Sequence, residues 1–147
     1  MTNPPFRSPR VQLAGLCHFA RMLDKIRLHV AGQLPAEYQP NLGLAYGLDG
    51  HLCGFLGVEF SALCERVRHG GSDDEVAEWC FQRGLRPNPV QARVWNEFAR
   101  KFGWNDLAAR FIARVKAEDG LQHREDVVTA FDSIDLREGR LDANQGA

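Results

Sequence analysis

From Leu13 to Val30 the apolar residues return every three or four positions. Leu16, Phe19, Leu23, Ile26 and Val30 form one stripe, the spacing of an amphipathic helix. Cys17, Met22 and Leu28 fall off that stripe. A helix apolar on more than one side belongs at the centre of its domain. Gly32 and Pro35 end it. Further on, Leu63, Cys64 and Val67 share a face over 60–68, closed by Gly70-Gly71. Ser72 stands three residues before Glu75, the spacing of a capping box, and the helix it starts runs to about Arg83. Asn88-Pro89 supplies an N-cap followed by proline at the first helical position. Val90, Val94, Phe98 and Phe102 then follow at intervals of four, and Gly103 closes that helix. Asn105 is expected to cap the next, with Leu107, Phe111, Ile112 and Val115 inside, and a last helix over 124–136 carries Val127, Val128, Phe131 and Ile134. No alternating run long enough for a strand occurs. The pattern predicts a single compact all-α domain of about six helices over 13–138, without a sheet.

Three stretches fall outside that rhythm. Pro4, Pro5 and Pro9 forbid a helix in residues 1–12 and favour an extended arm, free or packed on a neighbour. Between 32 and 57, six glycines with Pro35 and Pro40 interrupt any long element, leaving an irregular segment with one short helical turn at Leu52–Leu56. Such segments are commonly functional. Residues 139–147 are expected to form a flexible tail.

Composition narrows the class. With 147 residues, 44% hydrophobic and 25% charged, the chain is an ordinary globular domain and neither disordered nor fibrous. A formal charge of −1 supplies no general attraction to nucleic acid or to a membrane surface. Residues 1–71 carry seven cations and five carboxylates, and 72–147 carry eleven and fourteen, too even a split to define a nucleic-acid face. The N-terminus lacks a secretory pattern and no window is apolar enough to span a bilayer, so a soluble cytoplasmic protein is expected. Cys17, Cys53, Cys64 and Cys80 have apolar neighbours and form no Cys-x-x-Cys pair, so buried free thiols, no metal and no cofactor are expected. Trp79, Trp95 and Trp104 with Phe81, Phe98 and Phe102 are expected to pack in the core.

The charges suggest where a site would lie. At 100° per residue, His18, Arg21 and Lys25 fall on the face of helix one opposite its apolar stripe. Asp24 and Arg27, three apart near the stripe's edge, are placed to pair. Arg21, Asp24 and Lys25 are either a solvated face with one structural ion pair or the lining of an anion-binding pocket closed by the glycine-rich segment. Tyr46, Asp49, His51 and Cys53 form a second group, in which Asp49 would orient His51 as a base or both are plain loop residues. Asp132, Asp135, Glu138 and Arg140 form a third, near the end of the last helix. Carboxylates there oppose the helix dipole, which points to arginine partners on helix one.

Four stretches carry a resemblance: Arg21-Met-Leu-Asp24-Lys25-Ile, Asn41-Leu-Gly43, Phe55-Leu-Gly57-Val and Asp135-x-x-Glu138-Gly139-Arg140. Over nearly the whole chain they resemble a bacterial family known as domain of unknown function 5069. The resemblance implies one helical domain and no particular reaction. That family often has a proline where this chain has Ala20, which places the start of helix one a turn earlier here. The functional expectation is binding, or binding with turnover, of a small anionic ligand between helix one and the glycine-rich segment, with Arg21, Asp24, Lys25, Tyr46, Asp49 and His51 as contacts. Asp24, Arg27, Asp132, Asp135 and Arg140 are the expected structural ion pairs. The alternative is a non-catalytic protein-interaction module using the proline-rich arm and a helical face; on either reading a monomer or a homodimer is expected.

Overall fold

The computed structural model describes residues 5–140. The first four residues of the expected arm and 141–147 of the expected tail lie outside them. The class is all-α. A minimal hairpin, β1 (Gln12–Leu13) and β2 (Leu16–Cys17), precedes α1 (Phe19–Val30), and a 3-10 helix covers Ala36–Asn41. Then come α2 (Leu48–Leu56), α3 (Phe60–Arg68), α4 (Asp73–Arg83), α5 (Pro89–Lys101), α6 (Ala109–Glu118) and α7 (Ala130–Arg137).

α1 runs through the middle. Phe19, Ala20, Met22, Leu23 and Ile26 are fully buried against α2, α3 and the hairpin. Its polar face is buried too, since His18, Arg21 and Lys25 are almost inaccessible. The expectation of a solvated face is corrected here: the arm, the 3-10 helix, α2 and α7 cover that side. α1 also starts six residues later than its apolar spacing predicts. Ala14 and Gly15 both have positive φ and turn the chain into the hairpin, paired Gln12 with Cys17 and Leu13 with Leu16. This overturns the expectation of no sheet, on the scale of two residues per strand.

Other boundaries shift for local reasons. The glycine-rich segment contains a complete helix, α2, where a single turn was expected. Gly50 is required there: a Cβ would lie 2.5 Å from the carbonyl oxygens of Leu44 and Ala45. α7 begins at Ala130 because Thr129 and Asp132 form its capping box, so Asp132 sits in the first turn rather than near the end. Asn105 does not cap α6, which starts at Ala109, and Leu107 is fully exposed. Val90 and Val94 keep helical spacing but face outward, and Phe98 is partly covered by His51, Trp95 and Phe102, while Trp95 and Ala99 are the buried side of α5. Trp104 is likewise exposed.

The capping box of Ser72 and Glu75 forms as the sequence predicts, with Glu75 N–H donating to Ser72 Oγ at 3.2 Å. Replacing Ser72 by alanine is expected to lower the unfolding free energy by about 1 kcal/mol, measured by urea denaturation.

The arm packs on its own chain. Phe6 is buried with Leu34 and Tyr38 in a small second cluster. Arg7 holds Asp24 through both guanidinium and backbone N–H and reaches Asp73 at 2.9 Å. Arg10 bridges Asp132 and Asp135 at the start and middle of α7. Gly139 and Arg140, assigned to the tail by sequence, close the domain. Arg140 bonds Asp135, Glu138 and the Phe6 carbonyl.

Candidate functional site

The left-handed backbone of His18, φ 70, ends the hairpin and starts α1. Few non-glycine residues adopt that conformation, and here it turns the imidazole inward. One turn on, Arg21 and Lys25 leave α1 on the same side. α2 brings Asp49 to meet them. His18 Nε2 lies 2.7 Å from Asp49 Oδ1, and Lys25 Nζ donates to Asp49 Oδ2 at 3.0 Å. The backbone N–H of Gly43 also donates to Oδ2, at 2.9 Å. Gly43 has φ 67, and a Cβ there would sit 2.6 Å from the Phe60 ring, so the glycine lets this loop approach both Asp49 and α3.

Alongside lies a second buried pair. Arg21 donates through both terminal nitrogens to Glu138, at 2.8 and 2.6 Å, from α1 to the residue following α7. Tyr38 donates its hydroxyl to the same carboxylate at 2.9 Å, and the Phe6 ring covers the Arg21 guanidinium at 4.8 Å. Burial would raise the Glu138 carboxyl, but Arg21, Arg140 and Tyr38 outweigh it and hold it below its ordinary value. Burial and Glu138 push the Tyr38 phenol up.

Asp49 follows the same logic. Full burial favours its neutral form, yet Lys25, His18 and the Gly43 N–H together keep it well below the usual carboxylate range. An ionised Asp49 accepts only, so His18 Nε2 must carry the proton that it shares with Asp49. Burial lowers the His18 pKa more than Asp49 raises it, with Lys25 and Arg21 adding to the lowering, so the ring is neutral. Its Nδ1 is then a bare acceptor. It is also the one buried side-chain nitrogen or oxygen without a hydrogen-bond partner among the described residues.

These groups line a cavity of about 490 Å³. Much of the remaining lining is apolar, with Leu44, Leu48, Phe98, Phe102, Phe111 and Ile134 from the segment before α2, α2 itself, α5, α6 and α7, and Glu37, Asn41, Asp106 and Arg137 add polar groups. Tyr46 and Leu107 stand exposed at its rim. Pockets of this kind, largely apolar with a few convergent polar groups, are the usual form of a small-molecule site.

The sequence expectations divide accordingly. Arg21, Lys25, Tyr46, Asp49 and His51 all line the cavity. Asp24 does not: it is held by Arg7 on another side of α1, and its contact with Arg27 is only 3.9 Å. Arg27 instead pairs with Asp73 at 2.6 Å. The Asp–His pair is Asp49 with His18, from 31 residues away, rather than Asp49 with His51. His51 Nδ1 lies 2.7 Å from the Gly47 carbonyl, and its ring packs on Phe98 and Phe102. Cys53 is buried and its thiol is pushed up to about 12, chiefly by burial, which leaves it protonated and inert. Asp132, Asp135 and Arg140 tie α7 to the arm, and Glu138 is the residue that reaches helix one. No cluster of three or more metal-ligating side chains occurs among the described residues. Tyr38, Phe98, Phe102, Phe111 and Ile134 were not legible as site residues. The nearest signal was the four-residue apolar spacing of α5, which points equally to core.

Fold and site thus define a small all-α protein with a largely apolar cavity that is also lined by buried charged groups. The chain belongs to the family described as Domain of unknown function (DUF5069), whose model matches residues 3–140. No curated protein matches it. No helix among the described residues is long and apolar enough to cross a membrane.

Proposed function

We propose that the protein binds a small molecule with an apolar body and an acidic head group. The observation that carries this reading is the mixed lining of the cavity. The buried Lys25 and Arg21 line it together with a larger set of aromatic and aliphatic side chains, among them Phe98, Phe102, Phe111 and Ile134. The Lys25 ammonium makes a single hydrogen bond, to Asp49, among the described residues, so further donors remain for a ligand oxygen. The apolar lining supplies the binding energy and the charged groups supply orientation. The alternative, an interaction module using the proline-rich arm and a helical face, loses the support of the arm, because Phe6, Arg7 and Arg10 are engaged within the chain. Four free cysteines fit a reducing compartment, so the cytoplasm is the proposed location.

Octanoate tests the reading. At 100 times its dissociation constant it is expected to raise the unfolding free energy by about 2.7 kcal/mol, seen as an upward thermal shift. Phe111→Asp, at the partly exposed wall, is expected to weaken binding at least tenfold while leaving the melting temperature of the free protein nearly unchanged. Absence of any shift up to the solubility limit would overturn the proposal and restore the interaction module.

A further inference from the structure

We propose that the ligand is a hydroxylated acid, an apolar acid whose body carries a hydroxyl group that hydrogen-bonds to His51 Nε2 and Ser133 Oγ. This rests on the cavity being the binding site, as argued above, and goes further by fixing the ligand class.

Most charged groups that line the cavity are already committed. Arg21 is held by Glu138, Lys25 by Asp49 and Arg137 by Asp119. Asp106 accepts from the backbone N–H groups of Gly103 and Ala108. His51 is different. It lines the cavity from α2, partly buried, and its Nδ1 lies 2.7 Å from the Gly47 carbonyl. A carbonyl only accepts, so Nδ1 carries the hydrogen and the neutral ring presents a lone pair at Nε2. The rings of Phe98 and Phe102, each with its centroid 5.3 Å away, hold the imidazole in that orientation. Nε2 has no hydrogen-bond partner among the described residues. It is also open, because the one unpartnered side-chain nitrogen or oxygen that is closed off among them is His18 Nδ1.

Ser133 is an independent observation. Ala130, Ser133, Ile134 and Arg137 all line the cavity, and their spacing is that of one face of α7. Ser133 is only 6% exposed. A serine inside a helix can return its hydroxyl to the carbonyl one turn back. Here the Thr129 carbonyl accepts only from the Ser133 backbone N–H, and Oγ is without a partner among the described residues. By the same comparison with His18 Nδ1, Oγ is not closed off. An open hydroxyl on a residue this buried, on the face of α7 that lines the cavity, opens toward the cavity. Phe102 connects the two groups: its ring packs on His51, and its carbonyl accepts at 2.8 Å from Ala130 N–H, one turn before Ser133.

The chemistry of the pair selects the ligand. Nε2 needs a hydrogen to accept, which a carboxylate cannot give. Ser133 Oγ needs an acceptor for its own hydrogen. An alcohol supplies both, the hydrogen to the imidazole and the oxygen to the serine. A plain hydrocarbon against these two atoms would leave them unpaired, which is costly. The acid group keeps the spare donors of Lys25, and the hydroxyl group meets His51 and Ser133.

The test compares octanoate with the monohydroxyoctanoates, in which one hydroxyl moves carbon by carbon along the same chain. Binding to the full chain is measured by titration calorimetry at about pH 8, above the ordinary imidazole value. At least one monohydroxyoctanoate is expected to bind about tenfold tighter than octanoate. That preference should shrink at least about threefold in His51→Phe, which keeps a ring against Phe98 and Phe102, and likewise in Ser133→Ala. It should disappear when the two substitutions are combined. The preference is a ratio taken within one variant, so a general loss of affinity or stability does not move it. Octanoate binding with no hydroxylated probe preferred overturns this inference and leaves the binding site intact. A preference undiminished in either single variant also overturns it. If no probe binds the unaltered protein, the binding-site reading fails and this inference with it.

Discussion

Replacing Glu138 by alanine is expected to lower the unfolding free energy by about 3–5 kcal/mol, the range for breaking a buried ion pair from one side. The substitution strands more than one group. Arg21 is 3% exposed and loses both of its hydrogen bonds to Glu138, keeping one to the Arg7 carbonyl. Tyr38 and Arg140 lose an acceptor at the same time. Equilibrium urea denaturation measures the loss, and a cost below about 1 kcal/mol would show that Arg21 finds water or another partner. Two companions separate pairing from polarity. Asp24→Ala removes a carboxylate whose partner Arg7 is 38% exposed, and should cost only about 1 kcal/mol. The double replacement Arg21→Met with Glu138→Leu removes both buried charges and should recover most of the single-variant loss.

Glu138 also shows what could be read along the chain and what could not. Helix starts written in adjacent residues were legible. Ser72 with Glu75, and Asn88 with Pro89, specify their caps within four residues, and both form. Starts that depend on a distant contact were not. Leu13 and Leu16 have helical spacing, but Ala14 and Gly15 turn the backbone so that both side chains enter the core from a hairpin. Gly50 and Gly54 read as interruptions of any long element, leaving only a short helical turn at Leu52–Leu56. In the fold, Gly50 is demanded by the carbonyls beneath it, and a Cβ on Gly54 would meet nothing within 4 Å. Periodicity gave the phase of α5 without its orientation. Val90, Val94 and Phe98 repeat every four residues as a core stripe does, yet Trp95 and Ala99 take the interior.

The site was legible as an inventory and not as a set of partners. Arg21, Lys25 and Asp49 are unusual enough in position to be noticed. Their pairing crosses long stretches of sequence: 117 residues from Arg21 to Glu138 and 31 from His18 to Asp49. Proximity along the chain suggested His51 for Asp49 and Arg27 for Asp24, and three-dimensional packing substituted His18 and Arg7. This exchange of partners changes the chemistry. Two cations that looked free to clamp an anion are already neutralised, and the group left wanting a partner is an imidazole nitrogen.

With that neutral imidazole, the protein is expected to lose stability in acid in two stages. The folded state holds the His18 pKa below its ordinary value of about 6.5, because burial disfavours the imidazolium. Below that pH the unfolded chain takes up a proton at His18 that the folded protein refuses. Stability is therefore complete above about pH 6.5 and falls as the pH drops toward the folded-state pKa, at no more than about 1.4 kcal/mol per pH unit for one proton. A second, steeper decline is expected below about pH 4, where the unfolded chain protonates Asp49 and Glu138 while the folded state still holds both ionised. Their contribution is present above the unfolded carboxylate pKa and is lost as the pH falls through the lowered folded values. Two variants separate the stages. His18→Asn should flatten stability between about pH 6.5 and 4.5 and leave the lower decline in place. Asp49→Asn should cost about 3–5 kcal/mol at neutral pH, because the ammonium of Lys25 loses its counter-ion, and should make the decline below about pH 4 shallower. Urea titrations across this range read both. A decline between pH 6.5 and 4.5 that persists unchanged in His18→Asn would mean that the ring is already charged in the folded state. The pairing of Asp49 with a neutral His18 would then be wrong, and the bare Nδ1 acceptor would be lost with it.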